Sequence, residues 1–338
     1  MPRLSLVVPT YNRCASLLRL LQALEQQTVR DFEVVVVDDG STDGTPQRVA
    51  ALQRQPSYPL VVLRQPNRGP AAARNAGVER ASSELVLFLD DDVVPIPTLL
   101  EQHLAVHAAA ATSAAVVIGP MTPPANWDRP AWIRWEEDML EVQYQAMRDG
   151  QYPCTPRQFY TANASLQRAR FLEVGGFDPT FKRAEDVELA YRMRDRGASF
   201  VFLPEAIVYH YAERTFAAWC RTPYQYGRYD VVMYREKRHE ALPCAAREFH
   251  SRHVLTRWLA RACVGHQRLV RAAVVGLQGV AIAADRLQAR GAARLALSGI
   301  FNLLYWQGAS DELGGPALVW RTVADWATPT RATEASAV

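Results

Sequence analysis

The chain has 338 residues, 49% hydrophobic and 22% charged, an ordinary globular composition with material for one large domain and an appendage or for two domains. Its formal net charge of +3 is small, so charge gives no reason to expect a nucleic-acid partner, and Lys182 and Lys237 are the only lysines among many arginines. Five scattered cysteines without CxxC spacing point to reduced thiols rather than a disulfide frame or a zinc site.

The first part alternates short strands and helices. Leu4–Val8 reads as strand, Ala15–Gln26 as amphipathic helix and Phe32–Val37 as a strand buried on both faces. Ser41–Gly44 supplies turn and cap chemistry for a helix over Thr45–Gln53, and Leu60–Leu63 is a strand. Pro70 suits the first turn of a helix over Ala71–Arg80. Leu85–Leu89 is a strand, Pro97–Ala110 a helix and Ala115–Ile118 a strand. This βαβ alternation predicts a mostly parallel sheet flanked by helices, an α/β fold.

Proline-rich Met121–Trp127 breaks the pattern, and a helix is expected over Arg129–Met147. The tryptophans 127, 132 and 135 are expected to be core rather than sugar-stacking surfaces. Gln158–Leu166 reads as strand, Asp186–Arg196 as helix, and Phe200–Leu203 and Ile207–Tyr211 as strands. Beyond Glu213 the chain becomes helical and arginine-rich. The expected division is 1–212, an α/β domain, 213–327, a helical C-terminal region, and 328–338, a frayed tail. Met1–Arg3 leads straight into a strand, so no signal peptide is expected. The uncharged run Ala272–Ala284 falls short of the ~18–20 residues of a spanning helix, so a cytoplasmic protein is expected, soluble or peripheral on the inner membrane face.

Acidic loops follow the apolar strands. Asp90–Asp91–Asp92 ends one of them, and adjacent acids there suit one metal ligand and one acceptor for a ribose hydroxyl, because Mg²⁺ and Mn²⁺ are held by one or two carboxylates plus phosphate oxygens and water. Asp38–Asp39 ends another, where an acid reads a base N–H or a ribose hydroxyl. Asn67–Pro70 and Arg74 place a helix N-terminus and a guanidinium beside a nucleotide. Glu185–Asp186 opens a helix and offers a general base. So acidic a crevice repels a diphosphate unless a cation lies between them.

Val7–Asn12, Val37–Asp43, Asn67–Gly69, Ala73–Gly77, Phe88–Asp92, Gly175–Asp178 and Glu185–Leu189 together resemble family 2 glycosyltransferases of the GT-A fold, over about Leu4 to Tyr211. The resemblance implies a nucleotide-sugar donor, most commonly UDP-linked, a divalent metal (Mn²⁺ or Mg²⁺) and inversion at the anomeric carbon. It places Pro9, Tyr11 and Asp39 at the base, Asp91 or Asp90 at the ribose, and Asp92 on the metal. Asp186 becomes the catalytic base, with Glu185 close to acceptor or donor sugar. Asn163 and Ala164 lie beside the transferred sugar, and His210 near the metal or diphosphate. Asp91 stands where the family often has a small residue. No QxxRW-like signature is present, which argues for transfer of a single sugar rather than processive synthesis.

Two rivals stay open: a nucleotidyltransferase, and a non-catalytic sugar-nucleotide-binding partner subunit. A dehydrogenase is disfavoured, since no GxGxxG follows the first strand. The acceptor is a hydroxyl on a carbohydrate, a lipid-linked compound or a small molecule. The arginine-rich helices are expected to meet an anionic membrane surface, the catalytic domain or a second subunit of a homo-oligomer.

Overall fold

The computed structural model describes residues 2–52, 56–109 and 114–326. The expected tail 328–338 lies outside the described residues, as do Gln53 and Ala110, the expected ends of two helices. The chain forms two compact units. The first takes in the chain up to Asp128 together with Glu137–Ala212, and the second takes in Arg129–Glu136 and the chain from Glu213 onward.

The first unit is built on seven strands: β1 (Leu4–Thr10), β2 (Phe32–Asp38), β3 (Leu60–Arg64), β4 (Leu85–Leu89), β6 (Ala115–Ile118), β8 (Asn163–Gln167) and β9 (Ser199–Phe202), in the order β3-β2-β1-β4-β8-β6-β9. Every pairing is parallel except those of β8, which runs antiparallel to both β4 and β6. A second sheet sets β10 (Val208–His210) between β5 (Val93–Pro95) and β7 (Met121–Thr122).

Both faces of the large sheet are covered. On β1 and β2, Leu4, Leu6, Val8, Val34 and Val36 pack under α1 (Cys14–Leu24), α2 (Thr45–Leu52) and α4 (Leu99–Ala109). The alternate residues Val7, Val35 and Val37 face the other side. There they share cores with α3 (Pro70–Arg80), and α6 (Arg168–Glu173) and α7 (Glu185–Asp195) close the same face around Phe88. Burial on both faces explains why these strands are continuously apolar. The register Thr10↔Asp38 brings the ends of β1 and β2 level, and the polar loops that follow therefore emerge at one edge.

The expected strand from Gln158 is shorter than the sequence implies. Pro156–Gln158 forms a 3₁₀ turn, because Thr155 and Gln158 build a capping box at its start, and the strand begins only at Asn163.

The second unit is helical: α8 (Phe216–Lys237), α9 (Ala241–Ser251), α10 (Val254–Cys263), α11 (Gln267–Arg286), α12 (Arg290–Leu313) and α13 (Pro316–Asp325). Helix α5 (Ala131–Arg148) begins in this unit and continues into the first. Helices α8 and α12 cross closely; a Cβ on Gly227 would lie 1.9 Å from the Tyr305 carbonyl oxygen, so only glycine fits there. Phe249, Leu303, Trp306 and Val319 fill the core. Trp135 is buried edge-on against Trp219, and Trp132 donates its indole N–H to the Arg214 carbonyl, as expected for structural tryptophans. Among the described residues no helix is long and apolar enough to cross a membrane.

Candidate active site

Three loops are laced together at the sheet edge. Asn12, at φ 53°, accepts from the backbone N–H groups of Thr42 and Asp43 through its side-chain oxygen, while its own N–H donates to Ser41 Oγ. Asparagine tolerates this left-handed conformation better than most residues. Tyr11, on the same loop, is exposed, and Pro9 is half-buried. Asp39 is buried; its Oδ1 accepts from Gln65 Nε2 at 2.7 Å and the Arg68 N–H at 2.9 Å, and its Oδ2 from the Gly69 N–H at 2.8 Å. Asp39 therefore fixes the loop leading into α3 and keeps spare acceptor capacity on Oδ2.

The three aspartates after β4 face different partners. Asp90 accepts from Arg74 Nη2 at 2.7 Å. Asp91 is buried, with Thr10 Oγ1 donating to its Oδ2 at 2.7 Å and Arg13 Nη1 to its Oδ1 at 3.2 Å. Burial pushes the Asp91 carboxyl up to about 7, against the pull of Arg13. Asp92 takes the other contact of Arg13 Nη1, at 2.5 Å to Oδ2. Burial opposes ionisation of Asp92 too, but His210 and Arg13 outweigh it and hold the carboxyl below the usual range. Its buried Oδ1 has no hydrogen bond and lies 3.5 Å from His210 Nε2.

Arg74 joins the strand-end acids to the helix-start acids. Its side chain is 6% exposed; Nη2 holds Asp90, and Nη1 donates to Glu185 Oε1 at 3.0 Å. The start of α7 is set by the turn before it. Asn75 receives the Phe177 N–H at 2.9 Å and donates to the Phe177 carbonyl at 2.8 Å. Gly176, at φ 67°, passes so near that a Cβ would lie 2.7 Å from Asn75 Oδ1. Ala184 adopts φ 59° immediately before Glu185. Asp186 accepts from the Val187 N–H at 2.8 Å. Burial, reinforced by neighbouring Glu185, raises its carboxyl to about 7, while Arg74 and Arg183 act in the opposite direction.

Asn163 and Ala164 do not line this crevice. Register places Asn163 opposite Leu89, beside the acids, yet its side chain turns inward: Oδ1 lies 3.0 Å from His103 Nε2 and Nδ2 donates to the Ala206 carbonyl at 2.7 Å. Ala164 is wholly buried next to Phe88. Both residues expected beside the sugar are thus buried at this end of the sheet, where antiparallel pairing points the Asn163 amide at an imidazole on α4. Sequence reading gives no role here to Thr10 and Asn75, although both lie inside the quoted motifs, or to Arg13, which stands one residue past Val7–Asn12.

An open cleft of about 360 Å³ adjoins the acids, lined by Pro124, Ala125, Asn126, Trp127, Tyr209 and Tyr211. Tyr211 donates its N–H to the Asp92 carbonyl at 2.9 Å, and its ring packs on Trp127 at 5.5 Å between centroids.

The model for glycosyl transferase family 2 matches residues 5–175, half of the sequence. The chain belongs to that family. Validoxylamine A glucosyltransferase of Streptomyces hygroscopicus subsp. jinggangensis is 37% identical over 221 residues, covering 58% of this chain and 52% of that one. The chain thus spans about half the length of the curated relatives it matches. Staphylococcus aureus TarS 1–349, solved with UDP-GlcNAc, shares the fold at a TM-score of 0.56 and 21% identity, covering 93% of each chain. The Pyrobaculum calidifontis mannosyltransferase PcManGT, solved with GDP-Man and Mn²⁺, gives a TM-score of 0.57 at 22% identity, covering 89% of this chain and 86% of that one. The fold of this family 2 glycosyltransferase is therefore GT-A, with a helical C-terminal region.

Among the described residues no three His, Cys, Asp or Glu side chains form a ready cage. Mg²⁺ and Mn²⁺ need none, since one or two protein ligands suffice when phosphate oxygens and water complete the shell. The buried, hydrogen-bond-free Asp92 Oδ1 facing His210 Nε2 fits that requirement.

Proposed function

We propose that the chain transfers one sugar from a nucleotide-diphosphate sugar, a UDP-sugar foremost, to an acceptor hydroxyl by direct displacement with inversion. The observation that carries this reading is Arg74, which ties Asp90 to Glu185 and so gathers the acids of two separate segments into one crevice. Tyr11, Pro9 and Asp39 form the edge at which the base lies. Asp91, held by Thr10, and Asp90 face the ribose. Arg13 neutralises Asp91 and Asp92 and is long enough to turn toward an arriving diphosphate.

Asp92, with His210, would hold a divalent ion, which supplies charge neutralisation for the departing diphosphate. Asp186 accepts the proton of the acceptor hydroxyl. The oxygen then forms its bond to the anomeric carbon, and the bond to the diphosphate breaks, its electron pair leaving with the nucleoside diphosphate. Glu185, oriented by Arg74, lies beside the reacting sugars. The Trp127–Tyr211 cleft offers the flat apolar face and polar rim that suit an acceptor ring. Peripheral attachment to a membrane, which would suit a lipid-linked acceptor, is argued below from the helical unit.

The test is a screen of nucleotide sugars with Mn²⁺ or Mg²⁺ for release of the nucleoside diphosphate. The reading predicts release from one donor class, abolished by a chelator. Release of pyrophosphate instead would mark a nucleotidyltransferase and end the proposal.

A further inference from the structure

The sequence carries no Asp or Glu between Glu248 and Asp285, yet five arginines lie there, at 252, 257, 261, 268 and 271. Asp285 itself is taken up by an ion pair with Arg134. This stretch forms most of α10 and α11. In an ordinary surface helix the outward face is polar and the inward face apolar. Here α11 buries Val270, Ala281 and Ala284 but leaves Val275 at 69%, Val280 at 50% and Ile282 at 38% exposure. Between Arg271 and Asp285 every exposed residue of α11 is apolar. Arg268 and Arg271 stand exposed at one end of this face and Arg286 at the other. On α10, Trp258 is 68% exposed, beside exposed Val254 and Leu255.

We infer that α10 and α11 form a docking surface for an anionic lipid bilayer. An apolar helix face without acids, flanked by arginines and accompanied by an exposed tryptophan, matches a helix lying in the headgroup region: its apolar residues enter the acyl boundary while arginine stems reach back to lipid phosphates. Charge argues against a second copy as the occupant. A twofold pairing of α11, in either direction, would bring Arg268 and Arg271 against the same arginines or against Arg286, with no free acid on the helix to offset them. A bilayer bearing negative headgroups supplies the missing sign. The inference deepens the reading of the acceptor as a lipid-linked compound, but it does not depend on the donor chemistry, since its test requires no nucleotide sugar.

The experiment is flotation of the full chain with phosphatidylcholine vesicles, with and without phosphatidylglycerol, at low and high salt. The chain is expected to float with the anionic vesicles, weakly or not at all with the neutral ones, and less at high salt. Each of Arg268→Gln and Arg271→Gln is expected to weaken binding by about fivefold. The double variant Val275→Glu, Ile282→Glu and the single variant Trp258→Ser are each expected to weaken it by about tenfold or more. These side chains are exposed, so unchanged circular dichroism confirms that the variants fold. Unaltered diphosphate release from the donor in solution would separate this surface from the crevice. Absence of flotation with anionic vesicles at low salt overturns the inference. So does a stable dimer in solution that Val275→Glu dissociates, which would name a second copy as the occupant.

Discussion

Arg74→Met gives the sharpest view of how the crevice is held together. The guanidinium is almost fully enclosed, and it serves two carboxylates at once, Glu185 with a side chain 10% exposed and Asp90 with one 33% exposed. Removing one partner of a buried ion pair costs about 3–5 kcal/mol, because the remaining charge is left buried without compensation. Asp90 recovers part of its solvation from water, so the lower end of that range is expected, about 3 kcal/mol. In urea this moves the unfolding midpoint down by roughly 1–2 M for a typical m-value. Arg74 also counteracts the upward push on Asp186, so its removal moves the Asp186 titration further alkaline and lowers transfer at neutral pH. Arg74→Lys rescues little, since one ammonium cannot span both carboxylates in the planar geometry of the fork. The checks are a urea melt and the pH profile of kcat/KM. An Arg74→Met variant with the wild-type midpoint and an unmoved profile would refute this reasoning.

Three further outcomes are expected. Asp186 is protonated below about 7 and ionised above it, so kcat/KM for transfer should rise about tenfold per pH unit up to about pH 7 and then level; Asp186→Asn should lose that limb and about 10²–10⁴-fold of the turnover while donor binding by calorimetry persists. Asn163→Ala leaves His103 Nε2 and the Ala206 carbonyl without these buried partners, while His103 Nδ1 keeps Ser165 Oγ at 2.8 Å, so it should cost about 2–4 kcal/mol in a urea melt. Trp127→Ala should raise the acceptor KM by about tenfold with little change in the donor KM, as measured by initial rates, because the cleft it lines lies beside rather than within the donor crevice.

Much of this arrangement was legible in the sequence because it follows from strand chemistry. Apolar β1, β2 and β4 announce a buried parallel sheet, and acids that end such strands must emerge at one edge. Glu185 and Asp186 were legible as helix-opening acids, although only the fold brings them to Asp90 through Arg74. The rest was hidden for physical reasons. Arg13 meets Asp91 and Asp92 across more than seventy residues, and no local pattern encodes that contact. No local pattern encodes the contact of Asn163 with His103 either, since it arises from the antiparallel run of β8. The capping box at Thr155 shortened a strand that hydrophobicity alone extended back to Gln158. Trp127, Trp132 and Trp135 share one proline-flanked stretch, and it is the fold that sets the Trp127 ring in the wall of an open cleft and buries Trp135 against Trp219.

On the proposed function, the acids after β4 and those opening α7 grip one activated sugar and its cation in a single crevice. Crystals grown with UDP and Mn²⁺, measured at the manganese edge, test it most directly. One anomalous peak is expected beside Asp92 Oδ1, with the diphosphate next to it and Asp186 facing the acceptor side, and no peak in Asp92→Ala crystals. A peak bound elsewhere on the chain, or nucleotide bound away from Asp39 and Asp91, would contradict it.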